Sequence, residues 1–380
     1  MDRTTPVVST FFLLSLILSA VGTATAAPAS KASDTLTIFS GYGRGPAQAV
    51  VDEFFPKTVR VAEGTTVTWI QETPRDHGIT FPAGGPIPAE NIAQPEDRSA
   101  PQMRNPLAEF PTLPGGSYDG SYFINSGRIQ AGDSFSVTFS KAGVFPYVCI
   151  PHINQGMVGT VEVVPPGGAG LTTQDDVDQE MAAADALFQA QFDDIVAKRS
   201  GPSSFERADG TREWFIRAGT DVRSEPDFRV GRLTVRMFLP NQLTIKQGDT
   251  VVWYTDTRVP VHNVLFPAAG TQVSSGYVPR MEDGSVVPLE LLTPSGFYRG
   301  GDPSSLAWPR ILADLDALVP SRPSPAYDPT KLFNSARLGD PSETQSRAWS
   351  LTFEKPGAFD YVCTVHVPVG MLGQIIVAPR

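Results

Sequence analysis

The chain has 380 residues, enough for two domains of ordinary size with a connector, and 41% hydrophobic residues supply the apolar surface for real cores. Its 34 Gly and 35 Pro require many turns and long loops rather than a helical bundle. A net charge of −10 without clustered Lys and Arg argues against nucleic acid as a partner, since phosphate binding needs concentrated positive charge.

In chain order, Arg3, an apolar run over 11–21 and small residues through Ala27 have the layout of a secretory signal peptide over 1–26. Ala24 and Ala26 meet the small-x-small rule for cleavage after Ala26, and the run is too short for a comfortable membrane span. No later stretch is apolar and long enough to cross a bilayer. The mature chain is therefore expected to lack a transmembrane span and to be exported, to the periplasm or the extracellular space.

From Asp34 onward the runs TLTIF, VDEFFPKTVRV and TTVTWI alternate and end in Gly, Pro or polar residues, which is strand patterning. Residues 81–116 are dominated by Pro, Gly and polar residues and read as a long irregular loop. Strands resume over 134–140, 144–149 and 159–164, completing a first domain over 34–165. Thr173 then reads as the N-cap of a helix from 174 to about 198. Val177, Met181, Ala184, Phe188, Phe192 and Ile195 recur at helical spacing as its packing face, while Asp175, Asp176, Asp178, Glu180, Asp185 and Asp193 mark a solvated face. Residues 199–210 read as a flexible exit, so 166–210 is a linker containing the helix.

The rest repeats the first domain. FLPNQLTIKQGDTVVW (238–253) aligns with FFPKTVRVAEGTTVTW (54–69), placing Pro240 over Pro56, Gly248 over Gly64 and Trp253 over Trp69. YDGSYFINSGRI from Tyr118 pairs with YDPTKLFNSARL from Tyr327, and SVTFSKAGVFPYVC with SLTFEKPGAFDYVC. The repeat is a whole domain, 211–380, rather than a solenoid unit. Strands, short turns and no helix inside either repeat predict an all-β protein, two tandem Greek-key β-sandwich domains joined by a linker containing one α-helix.

Each repeat ends in a loop with the spacing Cys-x2-His-x4-Met, YVCIPHINQGM over 147–157 and YVCTVHVPVGM over 361–371. The chain has four histidines, and all fall at matched positions. His152 and His366 lie in these loops; His77 and His262 follow the aligned Trp69 and Trp253, each just before a Phe-Pro pair. A buried Cys or lone Met is usually core packing and a lone His usually a satisfied core or surface residue, but here the coincidence would have to happen twice. A disulfide between Cys149 and Cys363 would pair one motif with its own copy, whereas duplication of a metal site is natural. Two His, one Cys and a weak axial Met make the ligand set of a blue-copper electron-transfer site. Thiolate and thioether suit Cu(I), and imidazole suits both oxidation states. Zinc, the sharper rival, seldom uses Met.

On these loops, and on PVHNVLF around His262, the chain resembles the cupredoxins, most closely the plastocyanin and pseudoazurin branch, over nearly all of both domains. The resemblance implies type 1 copper in each domain. Cys363, His262 and His366 would be equatorial with Met371 axial, and Cys149, His77, His152 and Met157 would fill the same roles in the first domain. It also implies loop-histidine edges partly open to solvent and ringed by apolar residues, here Ile150, Pro151, Ile153 and Val158, and Val365, Val367, Pro368 and Leu372. RDHGITF departs from the pattern by placing Gly78 where the family has Asn, which is expected to loosen the support of His77. The Pro-rich insertions over 82–116 and 271–324 also depart from it; they could cover the copper surface, form a domain interface, recognise a partner or be plain surface loops.

Three functions follow from this reading. The first is a carrier of single electrons between redox partner proteins or small donors and acceptors, with two type 1 coppers per chain. The second is an oxidase or copper nitrite reductase, which would need further histidines, typically one beside the copper-binding Cys; Cys149 is flanked by Val148 and Ile150, and Cys363 by Val362 and Thr364. The third, copper storage or delivery, has little capacity with two sites. The histidine count favours the carrier, not an enzyme; the sequence leaves the oligomeric state open.

Overall fold

The computed structural model describes residues 35–44, 48–73, 75–93, 102–112, 117–222, 233–255, 262–270, 277–280, 310–313, 320–338 and 347–380. The signal peptide expected over 1–26 and most of the second insertion lie outside the described residues. The first half contains β1 (Thr35–Arg44), β2 (Ala49–Phe55), β3 (Thr58–Ala62), β4 (Thr66–Ile70), β5 (Thr80–Phe81), β6 (Asn91–Ile92), β7 (Met103–Arg104), the one-turn helix α1 (Pro106–Glu109), β8 (Pro111–Thr112), β9 (Ile124–Ser126), β10 (Ser134–Thr138), β11 (Gly143–Val148) and β12 (Val158–Val164). After α2 (Gln174–Arg199) come β13 (Ser203–Glu206), β14 (Arg212–Val222), β15 (Leu233–Leu239), β16 (Gln242–Lys246), β17 (Thr250–Tyr254), β18 (Leu265–Phe266), β19 (Tyr277–Arg280), β20 (Arg310–Ala313), β21 (Phe333–Asn334), β22 (Ala348–Thr352), β23 (Gly357–Val362) and β24 (Leu372–Ala378).

Among the described residues each half is a sandwich of two sheets, as its alternating strands predict. The sheet β3-β12-β11-β5-β9-β8 closes the first half and β16-β24-β23-β18-β21 the second. Trp69 and Tyr147 are fully buried in one core, Trp253 and Tyr361 in the other. The facing sheet is shared. It runs β10-β4-β1-β2-β15-β14-β17-β22, so one half's strands continue into those of the other through the β2–β15 pair. Val50 stands opposite Thr234, a matched pair since 234 − 50 and 238 − 54 both equal 184. The halves are thus related by an approximate two-fold axis at that pair.

Strand periodicity sends alternate residues of this seam to opposite faces. Ala49, Val51, Leu233 and Val235 lie under α2, whose Phe188 and Ile195 are buried against them with Tyr42 and Phe55. Thr173 caps α2 in a capping box with Asp176, and Tyr42 donates to Asp185 Oδ1 at 2.7 Å. Each buried large apolar side chain here is worth about 1.5–3 kcal/mol. The helix, placed in a linker from sequence, therefore covers both halves at their junction. Val50, Asp52, Thr234 and Arg236 occupy the other face.

Two loop readings change. Residues 203–206, within the expected flexible exit, pair with β14 as β13 because the turn at Asp209 and Gly210 folds them back; Asp209 Oδ1 accepts from Thr211 N and Oγ1. The first insertion holds β6, β7, α1 and β8 rather than irregular chain, and β7 pairs with β20 from the second insertion in a small sheet β19-β20-β7-β6. The insertions join the halves.

Candidate metal centre

Strand β11 ends just before Cys149 and β23 just before Cys363, and the chain then enters a short 3₁₀ turn, Ile150–Gln155 or Thr364–Val369. Gly156 and Gly370, with φ of 88° and 77°, end these turns, a left-handed conformation that glycine adopts without steric cost. Cys149 N donates to Met157 O at 3.0 Å and Met157 N to His152 O at 3.2 Å; the second loop repeats both bonds at 3.1 Å. These bonds hold the Cys, His and Met of each loop together. Met157 and Met371 are fully buried in the same cores as Cys149 and Cys363.

The fourth side chain comes from afar. His77 bridges to Ile129 and His262 to Leu338 by backbone pairing, which fixes their backbones just before β5 and β18. A bulge in β1 places Gly41 beneath His77, and one in β14 places Gly219 beneath His262. A Cβ at Gly41 would clash with His77 Nε2, and one at Gly219 with His262 Nε2. Both glycines have positive φ, so each bed needs glycine for space and for backbone.

In the first half His77 Nδ1 and His152 Nδ1 are 3.1 Å apart and lie 3.8 and 3.3 Å from Cys149 Sγ. A circle through these three atoms has a radius of about 2.0 Å, close to the ~2.0–2.3 Å of metal–nitrogen and metal–sulfur bonds. One ion fits between them. In the second half Cys363 Sγ lies 4.0 Å from His262 Nδ1 and 3.3 Å from His366 Nδ1. In each group the ligand atoms fall within 4.8 Å of one another. Six of the eight residues singled out from sequence are thus brought into two clusters of three, and Met157 and Met371 are buried in the same cores as their cysteines.

Burial sets their protonation. It pushes His77 down to about 4 and His262 to about 3, and it holds His152 and His366 well below the usual range, so all four imidazoles are neutral and offer lone pairs. Burial raises the Cys149 thiol to about 12 and Cys363 to about 11, although Gly78 N donates to Cys149 Sγ at 3.3 Å. Only a cation bound at the sulfur would offset that desolvation and release the proton.

The surroundings differ between the halves. Asn263 Oδ1 accepts from Thr364 N at 2.8 Å, and its Nδ2 donates to Asn334 Oδ1 at 3.2 Å, tying His262, the Cys363 loop and β21 together. Gly78 lacks that side chain. Asn125, the match of Asn334, instead accepts from Thr80 Oγ1 at 2.8 Å and donates to Leu107 O at 2.9 Å, so the insertion braces this end. Ala108 of α1 also packs with Val148 and Ile150. Arg128 binds Glu109 and Glu90 at 2.7 Å each and also pairs with Asp76 beside His77.

The loop histidines are not open to solvent as the resemblance implied: His152 is 3% exposed and His366 2%. Arg75 Nη2 lies against His152 Nε2, and Val369 of the second loop packs on Val50 of β2. Sequence reasoning missed Arg75, Asp52 and Arg236. A charge within each of the apolar strands AVVDEFF and LTVRMFL, at matched positions with opposite sign, was the signal available.

Residues 51–164 match the model of copper binding proteins of the plastocyanin/azurin family. By that match residues 51–164 are of the cupredoxin type. Plastocyanin from Scenedesmus fuscus is 28% identical over 115 residues, covering 29% of this chain and 85% of that protein. Plastocyanin from Prochlorothrix hollandica is 28% identical over 156 residues, with 40% and 89% covered. Among solved structures, a methionine-to-glutamine mutant of amicyanin in its Cu(I) form is similar at 18% identity and a TM-score of 0.22, over 34% of this chain and 83% of that one. For residues 51–164 that family suggests copper binding for electron transfer. Among the described residues no helix is long and apolar enough to cross a membrane.

Proposed function

We propose that this cupredoxin is an exported two-domain blue copper protein that carries single electrons and is not an enzyme. The first domain, 34–165, would hold one type 1 copper through His77, Cys149 and His152 with Met157 axial. The second, 211–380, would hold another through His262, Cys363 and His366 with Met371 axial. The observation that carries this reading is the duplicated His-Cys-His cluster, each with a fully buried methionine in the same core. When bound, copper supplies a one-electron couple and an intense thiolate-to-metal absorption. The thioether favours copper over zinc.

All four histidines of the chain lie in these clusters, so no imidazole is left for a second type of copper centre such as an oxidase or nitrite reductase needs. Val365 and Leu372, 39% and 53% exposed, flank the second loop and suit brief docking by a redox protein or small donor. Metal analysis of the mature protein should give two coppers per chain and a strong blue colour on oxidation, and Cys363→Ser should remove one chromophore and leave the other. A colourless Cu(II) form, zinc in either site, or turnover of oxygen or nitrite with a reduced donor would overturn the reading.

A further inference from the structure

The interior face of the seam carries a group of charges that neither half needs for its own sandwich. Asp52 on β2 pairs through Oδ2 with Arg236 Nη2 on β15 at 3.0 Å, and through Oδ1 with Arg75 Nε at 3.0 Å. The side chains are 3%, 0% and 12% exposed. Arg75 then touches His152, the loop histidine of the first cluster. Arg236 Nε and Nη1 have no hydrogen-bond partner among the described residues, and neither has the fully buried His262 Nε2.

Both clusters border this group. Gly41 and Gly219, the beds of His77 and His262, lie on β1 and β14, the strands that flank β2 and β15. The two-fold relation therefore points both clusters toward the junction. Val369 of the second loop rests on Val50, on the same strand face as Asp52.

We propose that the two clusters form one internal redox pair, with His152 and His366 turned toward each other across the β2–β15 seam and the Arg75–Asp52–Arg236 group filling the space between them. This rests on the copper reading above. One electron leaves the reduced site and arrives at the oxidised one; no bond forms or breaks and no proton moves. The interior carries one anion and two cations, so the electron crosses a polar, water-poor gap rather than passing through solvent-facing histidine edges. A single docking point beside the second loop can thereby serve both sites.

The test is electron redistribution in the fully loaded protein. Cys149→Ser and Cys363→Ser give the separate spectrum and midpoint of each site. Wild-type protein, oxidised and then reduced by half an equivalent per copper in a rapid photochemical pulse, is followed as the two absorptions re-equilibrate. The expected rate is unchanged by tenfold dilution, while an equimolar mixture of the two Ser variants, which can exchange only between molecules, slows tenfold. The midpoint of the second site should also shift when Cys149→Ser removes the charge of the first. A wild-type rate that falls in proportion to concentration, with both chromophores present, overturns the pair alone, and needs neither variant. Absence of the chromophores removes the copper reading and the pair together.

Discussion

Replacing Asp52 by Asn tests whether the seam charges hold the two halves together. The carboxylate is 3% exposed and contacts two guanidiniums at 3.0 Å, one of them fully buried. Asn keeps the shape and one acceptor oxygen, so what is lost is charge: two cations stay in a water-poor interior without their anion. Breaking a buried pair in this way costs about 3–5 kcal/mol. At about 2 °C per kcal/mol, suited to a large unit, the melting temperature should fall by about 6–10 °C. Arg236→Met should cost less, because Asp52 keeps Arg75 and two unpartnered guanidinium nitrogens disappear with Arg236. The pH dependence has a definite sign. Burial alone would raise the Asp52 carboxyl, but the Arg75 and Arg236 guanidiniums outweigh it and hold the group far below the usual carboxylate range. Its stabilisation is thus fully present above the unfolded value of about 3.9 and is lost as pH falls further, through the folded one. Urea and thermal unfolding of metal-free protein should show a constant wild-type advantage between pH 5 and 8 that narrows below about pH 4. An Asp52→Asn loss under about 1 kcal/mol at pH 7, or an Arg236→Met loss as large, would refute the reasoning, since either means the pair is not the anchor of a desolvated group.

Gly219→Ala should lower metal affinity at the second site by about 10–100-fold and leave the first unchanged, because the new methyl would occupy the position of His262 Nε2; competitive metal titration reads both sites. Copper binding should release one proton per site from the thiols, which burial raises to about 12 and 11, while His77 and His262, at about 4 and 3, stay neutral above pH 5. Apparent affinity should therefore rise about tenfold per pH unit between pH 6 and 9. A flat profile in calorimetry across buffers of different ionisation enthalpy would mean that Cys149 and Cys363 are not the groups displaced.

Most of the clusters was legible because their information is local or repeated. Cys-x2-His-x4-Met puts three side chains on one turn by covalent connection, and duplication identifies the distant His77 and His262. The α2 face was legible by period, and Val177, Phe188 and Ile195 are buried as expected. What escaped depends on partners remote in sequence. Strands β6 and β7 have two residues each, too few for periodicity, and exist because β7 finds β20. The four residues of α1, Pro106–Glu109, follow the N-cap Asn105, whose side chain accepts from Leu107 N, with Pro at the first position, a signal hidden in a Pro-rich stretch. The expectation of open histidine edges failed because Arg75 of the same half lies against His152, while Val369 beside His366 meets Val50 only once the halves have paired. That β2 is apolar on both faces, apart from Asp52 and Glu53, fits a strand covered on both sides rather than a sheet edge.

The opposite charges at position 52 and its match 236 bear on why the halves pair with each other. Two-fold pairing of identical copies would bring like residues to the junction: two carboxylates if both carried Asp, two guanidiniums if both carried Arg. Either would bury like charges at a cost of several kcal/mol. The side-chain pair of Asp52 with Arg236 satisfies the junction only when the first half meets the second. Because α2 and the residues around it already connect those halves in one chain, the same contact that stabilises the internal pairing works against β2 of one molecule joining β2 of another. The charge pair therefore discriminates between partners as well as joining them, and it does so at the β2–β15 seam.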